Sequence, residues 1–97
     1  MTKDLAILRD PPSPEVDPQT LALSALVWVL GDEDRRERLL ALTGLTPDAL
    51  RAGLGDVGLL GAVLDFLCTH EPDLIAACAA LDVTPETLVS ARERLAR

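Results

Sequence analysis

One stretch near the middle of the chain, VGLLGAVLDFLC at residues 57–68, constrains the fold more than any other. It is longer than an ordinary β-strand, and its large apolar residues recur at the spacing of a helix. They form a stripe wide enough to contact two or more neighbouring helices. The members of this stripe are Leu59, Leu60, Val63, Leu64, Phe66 and Leu67. The sequence therefore predicts a buried central helix.

The other face of this predicted helix is small and polar, and it contains Gly58, Gly61, Ala62, Asp65 and Thr69. Glycine in a helix interior is about 1 kcal/mol less favourable than alanine. Either a neighbour approaches this face closely or the helix frays there. Asp65 either points into solvent, or it bonds a neighbouring helix start or marks a binding surface, because carboxylates are rarely buried unpaired.

The composition predicts an all-α fold. The chain has twenty leucines and thirteen alanines but one phenylalanine, one tryptophan and no tyrosine, whereas sheets prefer β-branched and aromatic residues. Its 97 residues suit one domain. We therefore predict a compact single-domain bundle of five or six short helices over residues 17–97. A flexible arm precedes it at residues 1–16, where three prolines prevent regular structure.

Signals for helix starts recur along the chain, because an acid or threonine repeatedly stands where an N-cap residue is expected, often before proline. The predicted caps are Asp17, Asp32, Thr46, Asp56 and Thr84. The first helix, to about Leu30, is apolar almost all round, so it is buried on several sides or leaves a patch for a partner.

Three later helices have predicted core-facing residues. These are Leu39, Leu40 and Leu42 in the second helix, Leu74, Ile75, Cys78 and Leu81 in the fifth, and Leu88, Ala91 and Leu95 in the last. On the second helix, Asp32 with Arg36 and Asp34 with Arg38 have the i,i+4 spacing of ion pairs on a solvated face.

The charge and the cysteines narrow the choice of partners and compartment. A net charge of −7 argues against a general affinity for nucleic acid or an anionic membrane.

The cysteines and the apolar runs indicate the compartment. Cys68 and Cys78 lie within apolar helical patterns, so we predict that both are free thiols in a reducing compartment. No apolar run is long enough for a membrane helix, and the first residues do not resemble a signal peptide. The sequence predicts a soluble cytoplasmic protein.

Catalytic and metal-binding patterns are missing from the sequence. His70 is the only histidine, and no second histidine is available to build a catalytic cluster around it. Cys68, His70 and Cys78 do not have a recognised zinc spacing, and a closed site needs a fourth ligand. We therefore predict no enzymatic activity, no cofactor and no metal.

Residues 74–97 resemble a helix-turn-helix, with an alanine-rich first helix, a short turn and a second helix from Thr84. In such motifs the outward residues of the second helix read bases in the major groove. The candidate DNA contacts are Thr87, Ser90, Arg94 and Arg97. Glu86 and Glu93 border the same side, which disfavours DNA because affinity depends largely on phosphate contacts. DNA binding is the alternative function.

The main functional prediction is a non-enzymatic protein-interaction module or small regulator. Its candidate contact residues are Trp28, an aromatic of the kind enriched at interfaces, and Asp65 and Phe66 at the edge of the central helix. The partner is an unknown protein, and a homodimer stays open as well.

Several motifs together resemble a known family. They are Ala25-Leu26-x-Trp28, LALTGL at residues 40–45 and AVLDFL at residues 62–67, followed by Pro85, Ala91 and Leu95. On these residues the chain resembles DUF3572, a bacterial family of short helical proteins of unknown function, over about residues 18–95. It departs from the family after Glu71, where alanines stand in place of a bulky aromatic. The resemblance implies an all-helical domain and supplies no activity or site residue.

Overall fold

The computed structural model describes residues 17–96, and these residues form six α-helices joined by short turns, without a β-strand among them. The helices are α1 (Pro18–Leu30), α2 (Glu33–Thr43), α3 (Pro47–Ala52), α4 (Val57–Cys68), α5 (Glu71–Leu81) and α6 (Pro85–Ala96). The prediction of an all-α bundle is confirmed. The predicted arm at residues 1–16 and the candidate DNA contact Arg97 lie outside the described residues.

The predicted capping side chains occupy the starts of five helices. Asp17 Oδ2 accepts a hydrogen bond from the Thr20 N–H at 2.9 Å, and Thr84 Oγ1 accepts one from the Thr87 N–H at 3.2 Å. Asp32, Thr46 and Asp56 cap α2, α3 and α4 in the same way. Each of these bonds satisfies a backbone donor that the helix itself leaves unpaired. Local sequence therefore determines where these helices begin.

The central position of α4 is also confirmed. It packs against α1, α2, α5 and α6, most extensively against α6 and α1. Its apolar stripe is buried, with Leu60, Leu64 and Leu67 at 1 % exposure or less. The hydrophobic core is therefore built around this helix, and each fully buried leucine contributes about 1.5–3 kcal/mol relative to an exposed one.

Gly61 explains part of the small face of α4. A Cβ atom added at Gly61 would lie 3.8 Å from the Cβ of Leu95 on α6. This is an ordinary contact distance, so α6 packs against α4 at Gly61 but leaves room for a methyl group, whereas Gly58 on the first turn of α4 is exposed. Of the two glycines, Gly61 is the one that faces a neighbouring helix.

Two residues predicted to face the core are exposed instead, and these predictions were wrong. Ile75 on α5 is 52 % exposed, because the buried face of that helix carries Asp73 and Ala77. Ile75 is two positions from each, which places it on the opposite side of the helix. Leu42 is 73 % exposed in the last turn of α2, where it lines a groove.

The arginines of α2 also differ from the prediction, since neither predicted i,i+4 pair forms within the described residues. Arg38 reaches α5, where its Nη1 and Nη2 donate to the two carboxylate oxygens of Asp73 at 2.6 and 3.3 Å. Arg36 Nη1 donates to the carbonyl of Leu30 at 3.1 Å. The contact with Asp73 raises the pKa of Arg38. These side chains therefore join α2 to α5 and α1.

No single helix within residues 17–96 has both the length and the apolar character to cross a bilayer; α5 and α6 meet that test only as a pair bent by 101°.

Candidate functional site

A groove of about 570 Å³ opens between the end of α2, the turn that follows it and one side of α4. We call it the α2–α4 groove. Its lining residues are Leu42, Thr43, Leu45, Asp56, Leu59, Ala62, Asp65, Phe66 and Thr69. Asp65 and Phe66, two of the three residues predicted to contact a partner, therefore lie in one concave surface.

The wall of the groove follows from the way α2 ends. Gly44 has φ 74° and ψ 9°, a left-handed conformation that favours glycine, and its N–H donates to the carbonyl of Leu40 at 2.8 Å. Thr43 Oγ1 donates to the Leu39 carbonyl at 2.8 Å and accepts from the Leu45 N–H at 3.3 Å. Just before this tight turn, Leu42 is left 73 % exposed in a groove whose lining also includes the buried ring of Phe66.

The charges that line the groove are both negative. Asp56 caps α4, and Asp65 Oδ1 accepts a hydrogen bond from Arg92 Nη1 on α6 at 3.3 Å. The Asp65 side chain is 62 % exposed, so this pair contributes little to stability. The Asp65 side chain is therefore mostly in solvent, as in the first alternative, and its hydrogen bond is to Arg92 in the second half of α6 and not to a helix start.

The family model described as "Protein of unknown function (DUF3572)" matches residues 15–97. The chain belongs to the DUF3572 family. The match spans all six helices and therefore every residue of the α2–α4 groove. No curated protein and no solved structure matches the chain.

In this DUF3572 protein Trp28, the third predicted contact residue, lies outside the groove. It is half-buried, packs against the core, and has the guanidinium carbon of Arg35 at 3.7 Å from its ring centroid. Arg35 Nη2 also donates to the Trp28 carbonyl at 3.2 Å. The arginine thus covers one face of the indole through a cation–π contact.

The helix-turn-helix-like segment of the DUF3572 protein turns by 101° between α5 and α6 over residues 82–84. Asp82 has φ 59° and ψ 47°, a left-handed conformation, and the Val83 N–H donates to the carbonyl of Cys78 at 3.0 Å. On α6, Leu88, Ala91 and Leu95 are buried, as predicted.

The three described candidate DNA contacts have different surroundings. Ser90 is exposed, whereas Thr87 is half-buried and shares a 2.9 Å hydrogen bond with Thr84 Oγ1. Hydrogen bonds from Thr20 lower the pKa of Asp17, and the charge of Arg94 lowers it further, which places Arg94 near the start of α1. A shallow concavity on α6 is lined by Pro85, Glu86, Val89, Ser90 and Glu93.

Both cysteines of the DUF3572 protein are free thiols, with Cys78 buried and Cys68 half-buried. Burial raises the pKa of each thiol, which keeps them protonated and poorly nucleophilic at neutral pH. His70 is exposed at the start of α5 and makes no side-chain capping bond. Within residues 17–96, no group of three or more His, Cys, Asp or Glu residues is arranged to hold a metal ion.

The sequence pattern did not identify the leucines of the groove wall. The apolar spacing places Leu42 in the core, and Leu45 appears only in the motif LALTGL. The available signal was their position on either side of Gly44, since a left-handed glycine reverses the chain and directs its neighbours away from the helix.

Proposed function

We propose that this DUF3572 protein is a cytoplasmic, non-enzymatic module that binds a partner protein through the α2–α4 groove and acts as a small regulator. The observation that carries the proposal is the groove itself, with Leu42 73 % exposed beside a buried apolar floor. Large apolar side chains exposed in a concave surface mark interaction sites on soluble domains.

The chemistry of the groove indicates the kind of partner. Leu42, Leu45, Leu59 and Phe66 offer apolar contact, which suits the apolar face of an amphipathic helix. Asp56 and the net charge of −7 favour lysine or arginine beside those apolar residues. The occupant is therefore a helical segment with an apolar stripe and basic flanks.

A pair of synthetic peptides tests this directly. The probe is an amphipathic peptide with leucines at i, i+3 and i+7 and flanking lysines, and its control replaces every lysine by glutamate. Binding is followed by ¹H–¹⁵N correlation spectra of the full chain. We expect the basic peptide to shift the resonances of Leu42, Leu45 and Phe66, and the acidic peptide to bind at least about tenfold more weakly.

Two matched variants separate the groove from the rest of the surface. Leu42 and Val27 are 73 % and 71 % exposed, and Val27 lies on α1 outside the groove. Leu42→Glu should abolish binding of the basic peptide, whereas Val27→Glu should leave it within about twofold. Equal effects of the two substitutions, or shifts confined to residues outside the groove, would exclude this function.

A second candidate function, DNA binding through α5 and α6, is favoured by one specific observation. The 101° turn between the helices falls within the range of about 90–120° that helix-turn-helix motifs use. Glu86 and Glu93 on α6 oppose it, because they add negative charge beside Ser90.

Salt dependence tests the second candidate. If α6 binds DNA, fluorescence anisotropy with a labelled short duplex should show binding at about 20 mM NaCl that weakens steeply towards about 200 mM. Arg94→Ala combined with Arg97→Ala should reduce that binding, with Arg51→Ala as the control on another helix. A flat anisotropy at the lowest salt concentration would exclude DNA binding.

A further inference from the structure

A second concave site lies at the corner of α1, α2 and α3, and it shares no residue with the α2–α4 groove. It encloses about 300 Å³. The residues around it are Leu30, Arg36, Leu40, Pro47, Leu50, Arg51 and Leu54. We call it the arginine pocket, because five of its lining residues are apolar and the other two are arginines.

The size of the arginine pocket indicates a small ligand. Small-molecule sites enclose about 300–1,000 Å³ and combine apolar walls with a few polar groups that fix orientation. The pocket is at the lower end of that range. A partner helix, about 10–12 Å across with its side chains, needs a longer surface, so an unbranched chain fits the site better.

The two arginines have different anchors, and each leaves donors for a ligand. Arg36 Nη1 is held by the Leu30 carbonyl at the end of α1, at 3.1 Å. A guanidinium has five N–H donors, so this bond fixes its position and leaves others for an anion. Arg51 pairs with Asp48 at 2.9 Å, but both side chains are largely exposed, so an incoming carboxylate competes with a weak contact.

We propose that the arginine pocket binds a medium-chain monocarboxylate, with its alkyl tail against Leu40, Leu50 and Leu54 and its carboxylate beside Arg36 and Arg51. The planar fork of an arginine matches a carboxylate in charge and geometry. In a chain with a net charge of −7, this pocket is a place where apolar walls and positive charge coincide. The inference is independent of the proposed function, because the two sites have no residue in common.

The test is a titration of the ¹⁵N-labelled full chain with sodium octanoate. Octan-1-ol has the same tail without the charge, and acetate has the charge without the tail. We expect octanoate to shift the resonances of Leu40, Leu50 and Leu54 in a saturable manner. Octanoate should bind at least about tenfold more tightly than octan-1-ol, because hydrogen bonds to a charged group contribute that difference. Acetate should cause no saturable shift.

Chain length gives a second readout. Affinity should rise by up to about fourfold for each methylene added from butanoate onwards, as expected for apolar burial. The rise should stop when the tail fills the pocket. Affinity that keeps rising to the longest soluble chain would indicate nonspecific detergent-like association and would overturn the proposal.

Variants of the arginines separate recognition from folding. Arg36→Gln combined with Arg51→Gln should weaken octanoate binding by about tenfold or more and leave octan-1-ol binding within about twofold. Asp48→Asn should tighten octanoate binding by about two- to fivefold, because it frees Arg51 from its partner. Arg92→Gln combined with Arg94→Gln removes the same charge from α6 and should have no effect.

Three further outcomes would overturn the assignment. They are equal affinities for octanoate and octan-1-ol, unchanged octanoate binding in the double arginine variant, and octanoate shifts that map to the α2–α4 groove. Should the double variant lose octan-1-ol binding as well, the single Asp48→Asn variant decides the question, because its substitution is at an exposed side chain and its predicted effect is a gain.

Discussion

Asp82 is the one residue other than glycine with a positive φ in the part of the chain that the structure describes, at 59°. The left-handed conformation is unfavourable for most side chains by about 1–2 kcal/mol, although aspartate tolerates it better than most. The turn between α5 and α6 therefore contains local strain, which the rest of the bundle maintains.

Asp82→Gly should relieve that strain and raise the free energy of unfolding by about 0.5–1 kcal/mol, measured by urea denaturation with circular dichroism. The matched control is Gly44→Asp, which should lower the free energy of unfolding because Gly44 has φ 74°. A loss of stability in Asp82→Gly would mean that the carboxylate makes a contact that outweighs the backbone strain.

The two cysteines make the free energy of unfolding depend on pH in the alkaline range. Burial raises the pKa of Cys68 and of Cys78 above the ordinary thiol value of 9.0. The unfolded chain therefore loses these protons at a lower pH than the folded chain does. The stability contributed by the protonated thiols is fully present below pH 9.0 and is lost as pH rises through the folded-state values.

We expect the free energy of unfolding to decline above about pH 9. Few other groups contribute to this decline, because the chain has no tyrosine side chains that would lose protons in the same pH range. Replacing both cysteines by alanine should flatten this decline, as shown by denaturation curves at several pH values. A decline of the same size in the double alanine variant would assign it to other groups.

Among the helices, the contact between α4 and α6 at Gly61 allows a direct test. A Cβ at Gly61 would lie at ordinary contact distance from Leu95, 3.8 Å. Gly61→Ala should thus raise the free energy of unfolding by about 0.5–1 kcal/mol, because alanine favours the helix. Gly61→Leu should lower it by about 1–3 kcal/mol, because the larger side chain would force the two helices apart.

Gly58 provides the control on the same helix, since it is exposed and a Cβ there would meet only the Asp56 side chain within 4 Å. Gly58→Leu should leave the melting temperature nearly unchanged in thermal unfolding experiments. If Gly61→Leu proved as stable as Gly58→Leu, α4 and α6 would have room that the structure does not show.

The starts of the five capped helices could be predicted because their signals are local. Asp17, Thr46 and Thr84 each stand directly before a proline, and each bonds the backbone at the start of its helix. Such a signal requires only the next three residues, so it is independent of the rest of the fold.

The buried face of α5 could not be predicted in the same way. Its middle is rich in alanine, so the apolar pattern is compatible with several rotations of the helix about its axis. The observed rotation places Asp73 inside, where Arg38 pairs with it from α2, and leaves Ile75 outside. That choice depends on a partner 35 residues away in sequence, which periodicity does not reveal.

The candidate groove was predictable in part. Asp65 and Phe66 follow from the pattern of α4, but the opposite wall depends on how far α2 extends beyond the core before Gly44 reverses the chain. Helical spacing identifies which face of a helix is apolar, but it does not identify which turns of that face extend beyond the core. For this reason it wrongly predicted that Leu42, in the last turn of α2, is buried.

At the scale of the whole molecule, the excess of negative charge should weaken the fold at low ionic strength. The net charge is −7 at neutral pH, and self-repulsion of this kind destabilises a compact state. We expect the melting temperature to rise between about 20 and 500 mM NaCl, because salt screens this repulsion. Scanning calorimetry at neutral pH would measure it.

The control for the salt effect is a repeat near pH 4.4, where the net charge is close to zero. The rise should disappear or reverse there, since screening would then act mainly on attractive pairs such as Arg38 with Asp73. A rise of equal size at both pH values would indicate that salt acts through the hydrophobic effect instead.

Two of the concavities formed by residues 17–96 have apolar linings with opposite charges beside them. The α2–α4 groove has Asp56 and Asp65, whereas the arginine pocket has Arg36 and Arg51. Because they share no lining residue, each can be altered without changing the side chains of the other. A basic helical partner and a small anionic ligand would therefore select different sites on the same domain.

The contact between Trp28 and Arg35 gives the protein a built-in optical probe. Trp28 is the single tryptophan and there is no tyrosine, so the ultraviolet emission of the chain comes from the corner between α1 and α2. The guanidinium lies 3.7 Å from the ring centroid, so separation of these two helices changes the surroundings of the indole. Its emission therefore follows the parting of one helix pair, whereas circular dichroism follows all six helices at once. Coincidence of the two signals during unfolding would show that this corner melts together with the bundle.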